Sequence, residues 1–419
     1  MNLILAVPLA VRLAAFFFVG LAAGSAINWA IYSLAWLSRP ISPWQRPGPN
    51  VPLRRWPDYL PISGWLGLRR EAAIHGAGFW IRPLAIELAC GIGLAALYWW
   101  EITEHLAPPI AGVAPATPAM LHLEFMSHAI LLAFLLVATF IDFDEQTIPD
   151  GVTIPGTLIG LALAAIWPLS HLPVVRVVGP LGGLGYGPLL LTSTDAWPPW
   201  LDTWQGLALA CAGFLTWCAA LIPATTTLRR GWLKGVLYYI ASIQRRSHWL
   251  PMLVIALAGL CVIGSVWLLG GASWQALLTS ITGLVFGGGL IWAVRIIGQI
   301  ALGKEAMGFG DVTLMAMIGT FLGWQPCLMI FFLSPFAALI IAVSQWLLTR
   351  RRDIAFGPYL CLAGLIVIIK WAAIWNFAAP IFAAGWLVPA VVTVCLLLML
   401  GLLMCWRIIE RLIFGESRG

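Results

Sequence analysis

Two aspartates stand at the edges of apolar segments in this sequence. Asp142 ends an apolar run that starts at Ala133, and Asp311 opens a second apolar stretch. Burying a carboxylate at the end of a membrane helix costs free energy, so such a residue usually marks a functional site. Two carboxyl groups that meet share one proton, so one can activate water while the other protonates a carbonyl oxygen. The pair predicts intramembrane aspartyl chemistry, with Asp142 and Asp311 as catalytic residues.

Glycines precede the second aspartate at positions 308 and 310. Glycine permits a tight turn and a close backbone approach, so Gly308 and Gly310 are predicted to make room for an extended bound peptide. Asp311 begins a predicted helix and Asp142 ends one. The helix dipoles therefore favour the ionised form of Asp311 by about 0.3–1 kcal/mol. Asp311 is the hypothetical general base, and desolvation of either group could reverse the two roles.

The composition places the chain among membrane proteins. Of 419 residues, 61% are hydrophobic and 10% are charged, and the mean hydropathy is +0.94. Continuous apolar runs of about 20 residues indicate helical spans and exclude barrel strands. The expected fold is an all-α polytopic transmembrane bundle with about eleven spans. Tryptophans near the ends of these runs are expected at the membrane interfaces.

Metal and nucleic-acid chemistry are not predicted. The eight cysteines show no C-x-x-C spacing, and the six histidines are scattered, with no two of them four residues apart and no carboxylate partner expected. No metal site and no cofactor is expected. The net charge of +6 arises mainly in predicted inner loops, which indicates membrane topology and lipid contact and not nucleic-acid binding.

The distribution of basic residues predicts the topology. The segment 37–82 contains seven arginines and is therefore placed in the cytoplasm, with the N-terminus outside. The predicted outer loops 101–126 and 171–204 contain one basic residue, Arg176. Both catalytic aspartates then lie at the cytoplasmic face. The spans are predicted near 10–36, 83–100, 127–145, 152–170, 205–223, 251–270, 277–302, 311–323, 325–349, 357–378 and 385–408.

Several motifs carry a family resemblance. Asp142 is followed after five residues by Ile-Pro-Asp at 148–150, and the Gly-Phe-Gly-Asp segment 308–311 continues into the apolar residues 314–324. This combination resembles the bacterial prepilin peptidases of the type IV leader peptidase family. Further matches are Gly24-Ser25-Ala26-Ile27-Asn28 with Ile31 and Tyr32, Arg82-Pro83-Leu84 with Glu87, and Phe356-Gly357-Pro358-Tyr359.

The resemblance implies an intramembrane aspartyl endopeptidase of the bacterial inner membrane. Such enzymes cleave the basic leader of type IV prepilins or pseudopilins at the cytoplasmic face, with two aspartates that match Asp142 and Asp311. Prepilins, membrane lipids and pilus or secretion assembly proteins are the implied partners. Asp144 and Asp150 are expected to be solvated or capping residues, and Glu87 is expected to form a structural contact with Arg82.

The chain departs from the family pattern at several places. Segment 37–82 lacks the paired cysteines that bind zinc beside an N-methyltransferase activity in many members, which puts that activity in doubt here. Thr313 stands where lysine is usual, with Lys304 or Arg295 as possible substitute cations. Three extra spans separate the aspartates. Their basic loop, 227–249, is expected to contact lipid or an assembly partner.

These observations divide the chain into six regions: a first span 1–36, an arginine-rich cytoplasmic segment 37–82, spans with the first aspartate 83–170, an inserted loop and extra spans 171–303, peptidase spans 304–378, and a C-terminal span and tail 379–419. Two alternatives to a peptidase stay open. They are an ion- or proton-coupled transporter, because carboxylates and broken helices also mark ion pathways, and a catalytically inactive scaffold.

Overall fold

The computed structural model describes residues 7–39, 41–44, 53–103, 105–178, 182–222, 249–303, 307–349 and 356–414. Most of this part of the chain is helical. The helices are α1 Leu9–Leu34, α2 Ser63–Leu68, α3 Ala72–His75, α4 Ile81–Ile102, α5 Pro118–Glu145, α6 Asp150–Ile166, α7 Trp204–Ala220, α8 Trp249–Leu269, α9 Gly271–Leu302, α10 Phe309–Leu322, α11 Trp324–Thr349, α12 Gly357–Ile369, α13 Trp371–Phe382 and α14 Leu387–Phe414. Short 3-10 helices cover Trp56–Tyr59, Arg69–Glu71 and Pro199–Asp202, and three strands are β1 Val113–Ala114, β2 Pro173–Val178 and β3 Gly183–Pro188.

The prediction of an all-helical membrane fold is confirmed, and the chain is a multi-pass membrane protein. All eleven expected apolar segments contain helices, but in the described residues only α1, α4, α5, α8, α9 and α14 are long and apolar enough to cross a membrane alone. A seventh span results if α12 and α13, which meet at a 93° bend, are counted together. The expected count of eleven is therefore not confirmed, because hydropathy does not register that a helix is short or sharply bent.

The central helix α10 is enclosed on every side. Each side chain from Asp311 to Leu322 is buried. Helix α9 packs against it with direct backbone contact, since a Cβ added at Gly283 would overlap the carbonyl of Gly319. Small residues at such crossings let membrane helices approach closely and gain dispersion energy without a hydrophobic driving force. This contact places the start of α10, and with it Asp311, within the bundle.

The arginine-rich segment 37–82, which is predicted to be cytoplasmic, is tied in its described part to the membrane helices through the buried Glu87 on α4. The carboxylate of Glu87 accepts hydrogen bonds from the Ser25 hydroxyl on α1, the Trp65 indole N–H at 3.0 Å and the Ile62 backbone N–H. The expected contact between Glu87 and Arg82 is wrong, because the guanidinium of Arg82 points to the end of α5. Glu87 instead joins two membrane helices to the segment that precedes α4.

Ion pairs hold the described part of that segment together. Arg54 pairs with Glu71, and Arg70 pairs with Asp58. The carboxylates of Glu71 and Asp58 are both buried. Burial alone would raise the pKa of Asp58, but hydrogen bonds from Arg70 and from the Arg55 N–H outweigh that effect and hold the pKa below its ordinary value. Asp58 is therefore ionised at neutral pH, and its pairing persists there.

The predicted outer loops 101–126 and 171–204 contain a small three-stranded sheet. Strands β2 and β3 form an antiparallel hairpin, and β1 pairs in parallel with β3, which gives the order β1-β3-β2. Tryptophans at helix ends donate their indole N–H groups to carbonyls of this region and so fix the loops to the bundle. These bonds join Trp371 to Pro173 at 2.7 Å, Trp324 to Leu191 at 2.8 Å and Trp274 to Leu201 at 2.9 Å.

Two histidines have carboxylate partners, which corrects the expectation that none does. His128 Nδ1 on α5 lies 2.9 Å from Glu101 Oε1 near the end of α4, and both side chains are fully buried. His75 Nε2 lies 3.6 Å from Glu71 Oε2, one helical turn earlier in the chain. In the described part of the chain, no group of three or more His, Cys, Asp or Glu side chains could hold a metal ion.

The contact between α9 and α10 leads to a first prediction. Replacing Gly283 by alanine should lower the free energy of unfolding by about 1–3 kcal/mol, because the new methyl group overlaps the backbone of α10. Alanine at Gly289, also on α9, meets no atom within 4 Å and is the matched control. Thermal unfolding in detergent measures both variants. Equal midpoints for Gly283→Ala and Gly289→Ala would contradict the close crossing.

The buried His171 leads to a prediction about pH. Burial, together with the nearby His128, lowers the pKa of His171 from 6.5 to about 4, and its Nε2 lies 3.2 Å from Ser280 Oγ. The folded state therefore prefers neutral imidazole. Its contribution is complete above about pH 6.5 and is lost as the pH falls towards 4, so His171 should account for a loss on the order of 2 kcal/mol between pH 7 and pH 5.

Thermal unfolding of the wild type and of His171→Gln at both pH values checks this expectation. The midpoint should fall less with pH in the variant, since glutamine does not titrate. The same fall in both proteins would show that the acid sensitivity arises elsewhere.

Candidate active site

One cavity brings together all four residues that the sequence predicts for the site. It has a volume of about 1010 Å³ and is lined by the end of α5, the turn at 146–149, the start of α6 and the start of α10. Asp142 and Asp311 are both in its wall, as are Gly308 and Gly310. The two aspartates are separated by 168 residues in sequence. Their common cavity thus results from the packing of α5 against α10.

Asp142 lies in the last turn of α5 and is buried there. The helix ends at Gln146, whose φ of 54° is left-handed and whose N–H donates to the carbonyl of Asp142 at 2.9 Å. The carboxylate Oδ2 accepts a hydrogen bond from the backbone N–H of Gly357 at 3.1 Å. This carboxyl group is therefore fixed by the end of α5 together with the start of α12, which lies 215 residues further along the chain.

Gly357 is a site residue whose role sequence reasoning missed. A Cβ at this position would lie 2.6 Å from Asp142 Oδ2 and 2.8 Å from Ile148 Cδ1, so only glycine lets its N–H reach the carboxylate. The motif Phe356-Gly357-Pro358-Tyr359 was visible in the sequence, but nothing local to it indicated a contact with Asp142.

Asp311 lies in the first turn of α10 and is 8% exposed. The backbone N–H groups at a helix start carry partial positive charge, which favours a carboxylate at this place. Thr313, at the position where lysine was expected, donates from its hydroxyl to the carbonyl of Gly310 at 3.0 Å. Of the possible substitute cations, Arg295 lies 5.6 Å above the ring of Phe309, and Lys304 lies outside the described residues.

The two glycines before Asp311 differ in their surroundings. Gly308 is exposed, and a Cβ there would meet Asp311 Oδ2 at an ordinary 3.6 Å. Gly310 is packed against Ile148, whose Cβ would lie 2.9 Å from an added Cβ. Close packing against the turn at 146–149 is therefore enough to explain why residue 310 is glycine, without a role in substrate binding. A role of Gly308 and Gly310 in substrate binding stays a prediction.

The cavity is acidic. Besides the two aspartates, it is lined by Asp144, Glu145 and Asp150, and none of its described lining residues is Lys, Arg or His. Glu145 accepts hydrogen bonds from the backbone N–H groups of Trp36 and Leu37 at 2.8 and 2.9 Å, which joins the end of α5 to the chain after α1. Such a wall attracts cationic groups.

An apolar groove lies beside this cavity. It has a volume of about 710 Å³, is lined by α1, α4, α5 and α12, and extends along α4 from Arg82 to Trp99 and Trp100. That part of α4 is about 27 Å long, close to the thickness of a hydrocarbon core. Gly93 faces the open groove, with nothing within 4 Å of an added Cβ. At the end of the groove beside the start of α4, Arg82 forms an ion pair with Asp144 in the acidic cavity, so the two spaces adjoin.

The Gly357 contact gives a prediction that needs no knowledge of the reaction. Gly357→Ala should lower the free energy of unfolding by about 1–3 kcal/mol, since the methyl group displaces the Asp142 carboxylate and Ile148. Gly364→Ala, on the same helix, meets side-chain atoms at 3.5 and 3.8 Å and should be nearly neutral. Unfolding midpoints in detergent compare the two. A neutral Gly357→Ala would show that the α12 start is not held against Asp142.

Comparisons with known proteins agree with the motifs. Residues 232–343, which include α8 to α10 and Asp311 but not Asp142, match the type IV leader peptidase family. Several curated relatives are named prepilin leader peptidase/N-methyltransferase. The relative from Aeromonas salmonicida is 34% identical over 24% of this chain and 35% of its own length. The relative from Pseudomonas aeruginosa is 38% identical over 21% of this chain and 31% of its own length. The relative from Xanthomonas campestris is 34% identical over 32% of this chain and 47% of its own length.

The matched stretches thus span less than half of these relatives. No solved structure matches the chain. Residues 232–343 nevertheless make this chain similar to the type IV leader peptidase family, and the resemblance to bacterial prepilin peptidases is confirmed.

Proposed function

We propose that the protein is an intramembrane aspartyl endopeptidase that removes the basic leader from type IV prepilins or pseudopilins. The observation that carries the proposal is the common cavity of Asp142 and Asp311 at the ends of apolar helices. The relatives' names supply the substrate class. The site of action in this proposal is the cytoplasmic face of the bacterial inner membrane, where the topology predicted from the arginines puts both carboxyl groups.

The chemistry of the proposal needs only these two carboxyl groups and water, without a cofactor. The ionised carboxylate removes a proton from water as the oxygen attacks the scissile carbonyl carbon, and the protonated carboxyl donates to the carbonyl oxygen. Collapse of the tetrahedral intermediate then breaks the C–N bond, and a proton moves to the leaving amine. The helix start at Asp311 favours the base at that residue.

The surroundings of the dyad suit a basic, membrane-anchored substrate. The acidic wall with Asp144, Glu145 and Asp150 complements the positive charge of a leader peptide. The apolar groove adjoins the cavity at Arg82, so an apolar segment of the substrate within the groove would continue towards the dyad. The leader then occupies the cavity, and the rest of the substrate remains among the helices.

The proposal is limited to the peptidase reaction. The relatives' names also carry N-methyltransferase. In this chain, segment 37–82 contains no cysteine, and its described part is held by the pairs Arg54–Glu71 and Arg70–Asp58. Peptide hydrolysis at Asp142 and Asp311 involves none of these residues.

Cleavage of a co-expressed prepilin in membranes tests the proposed function. Asp142→Asn and Asp311→Asn should each lower the rate at least about 100-fold, because neither amide can replace a proton-transferring carboxyl group. Asp195→Asn, an exposed aspartate of the outer loop, is the matched control and should cleave like the wild type. Equal accumulation of all four proteins is checked by immunoblotting.

The same assay separates the alternatives. If the wild type cleaves none of several prepilins, an inactive scaffold or a transporter becomes the better interpretation. If cleavage survives either substitution in the dyad, the assignment of Asp142 and Asp311 is wrong, although the protein is still a peptidase.

A further inference from the structure

The last turn of α5 is also held by a residue of another helix that does not belong to the dyad. Arg82, on α4, donates from Nη1 to both carboxylate oxygens of Asp144 at 2.8 and 2.9 Å. Its Nη2 lies 3.4 Å from the carbonyl oxygen of Phe140, and the guanidinium is 5.0 Å from the centre of the Phe140 ring. One side chain thus contacts the backbone, the ring and a carboxylate of this single turn.

These contacts flank Asp142 in a way that fixes its direction. Phe140 and Asp144 are four residues apart and lie on the same side of the helix. Asp142 is two residues from each and therefore lies on a different side of the helix, although Asp142 and Asp144 both reach the wall of the acidic cavity. Rotation of this turn about the helix axis would break the contacts of Arg82 and carry the Asp142 carboxyl out of its place.

Arg82 is itself held firmly at the start of α4. The side-chain amide of Asn28 on α1 donates to the carbonyl of the next residue, Pro83, at 2.8 Å. One turn further on, Glu87 binds Ser25 of α1 and Trp65 of the cytoplasmic segment. These contacts anchor the start of α4 to α1 and to the segment that precedes α4, and Arg82 links this anchored helix start to the end of α5.

The pair is too exposed to be important for stability alone. The side chains of Arg82 and Asp144 are 40% and 29% exposed, and ion pairs with that much solvent contact contribute little to the free energy of unfolding. A cation near the carboxyl end of α5 also interacts favourably with the helix dipole, but this effect is likewise small at an exposed site. The main consequence of the Arg82–Asp144 pair is therefore that it fixes the rotation of the last turn of α5 about the helix axis.

We infer that Arg82, through Asp144 and the Phe140 carbonyl, is a positioning residue that holds the Asp142 carboxyl in its reactive orientation. It does so without contacting the reacting atoms. The inference rests on the proposed peptidase function, in which a displacement of about 1 Å at a reacting group lowers the rate by about 100-fold.

The first experiment measures kcat and KM for prepilin cleavage together with the unfolding midpoint. Arg82→Gln should lower kcat about 10- to 100-fold, with KM and the midpoint nearly unchanged. Asp144→Asn should lower kcat to a similar extent and also raise KM, because Asp144 belongs to the acidic wall that faces the basic leader. The double exchange Arg82→Asp with Asp144→Arg restores the pair with reversed charges and should recover a substantial part of kcat. Arg69→Gln is the matched control, because Arg69 also lies over an aromatic ring, that of Trp80 at 5.0 Å, but in the cytoplasmic segment.

Several results would overturn the inference. An unchanged kcat in Arg82→Gln shows that Asp142 does not depend on Arg82. A change confined to KM shows that Arg82 binds substrate directly, as a residue of the apolar groove. A fall in the midpoint as large as that in kcat, without recovery in the double exchange, shows a purely structural role.

A second measurement does not depend on activity and so separates this inference from the proposed function. The variant Asp142→Cys is labelled with a water-soluble maleimide, with and without the second substitution Arg82→Gln, and the two labelling rates are compared. The protein that retains Asp142 is the blank. A several-fold change in labelling rate supports positioning even if no prepilin is cleaved. Equal labelling rates contradict it even if the wild type is an active peptidase.

Discussion

The structure depends on the direct backbone contact between α9 and α10. Gly283 and Gly319 bring the two helices so close that no side chain fits between them. Because α10 is then covered on all sides, its first turn can carry Asp311 within the apolar bundle and still face a cavity that is lined by polar groups. A charged group at this depth is tolerated only where protein dipoles and a water-accessible space replace the bulk solvent.

The other half of the site depends on a single turn of helix. The end of α5 receives hydrogen bonds from three separate parts of the chain, namely the residues after α1, Arg82 on α4 and Gly357 at the start of α12. Each bond involves a different residue of the turn, so together they fix both its position and its rotation. The Asp142 carboxyl is held mainly by elements that contribute nothing to the chemistry.

The sequence predicted those features that are local or periodic. Apolar runs located the eleven helical segments, arginine counts gave a topology, and Asp142 and Asp311 were found because carboxylates at helix edges are rare and costly. The contacts that support them were not predictable, since Gly357 and Asp142 are 215 residues apart and neither has a local pattern that points to the other. The partner of Arg82 was wrongly predicted as Glu87, because spacing along one helix says nothing about a carboxylate on the next helix. The hairpin at 173–188 was missed because its glycines and prolines obscure the alternation of a strand.

The order in which the supporting contacts are made follows from their positions along the chain. Within the described residues, the hydrogen-bond partners of Glu87 all precede it in sequence, at Ser25, Ile62 and Trp65, so this junction can form as soon as α4 has entered the membrane during synthesis. The surroundings of Asp142 remain incomplete until Gly357 has been made, long after Asp311. Glu87 thus joins elements that are close in sequence, whereas a chain that stops before Gly357 lacks one of the contacts that fix the Asp142 carboxyl group.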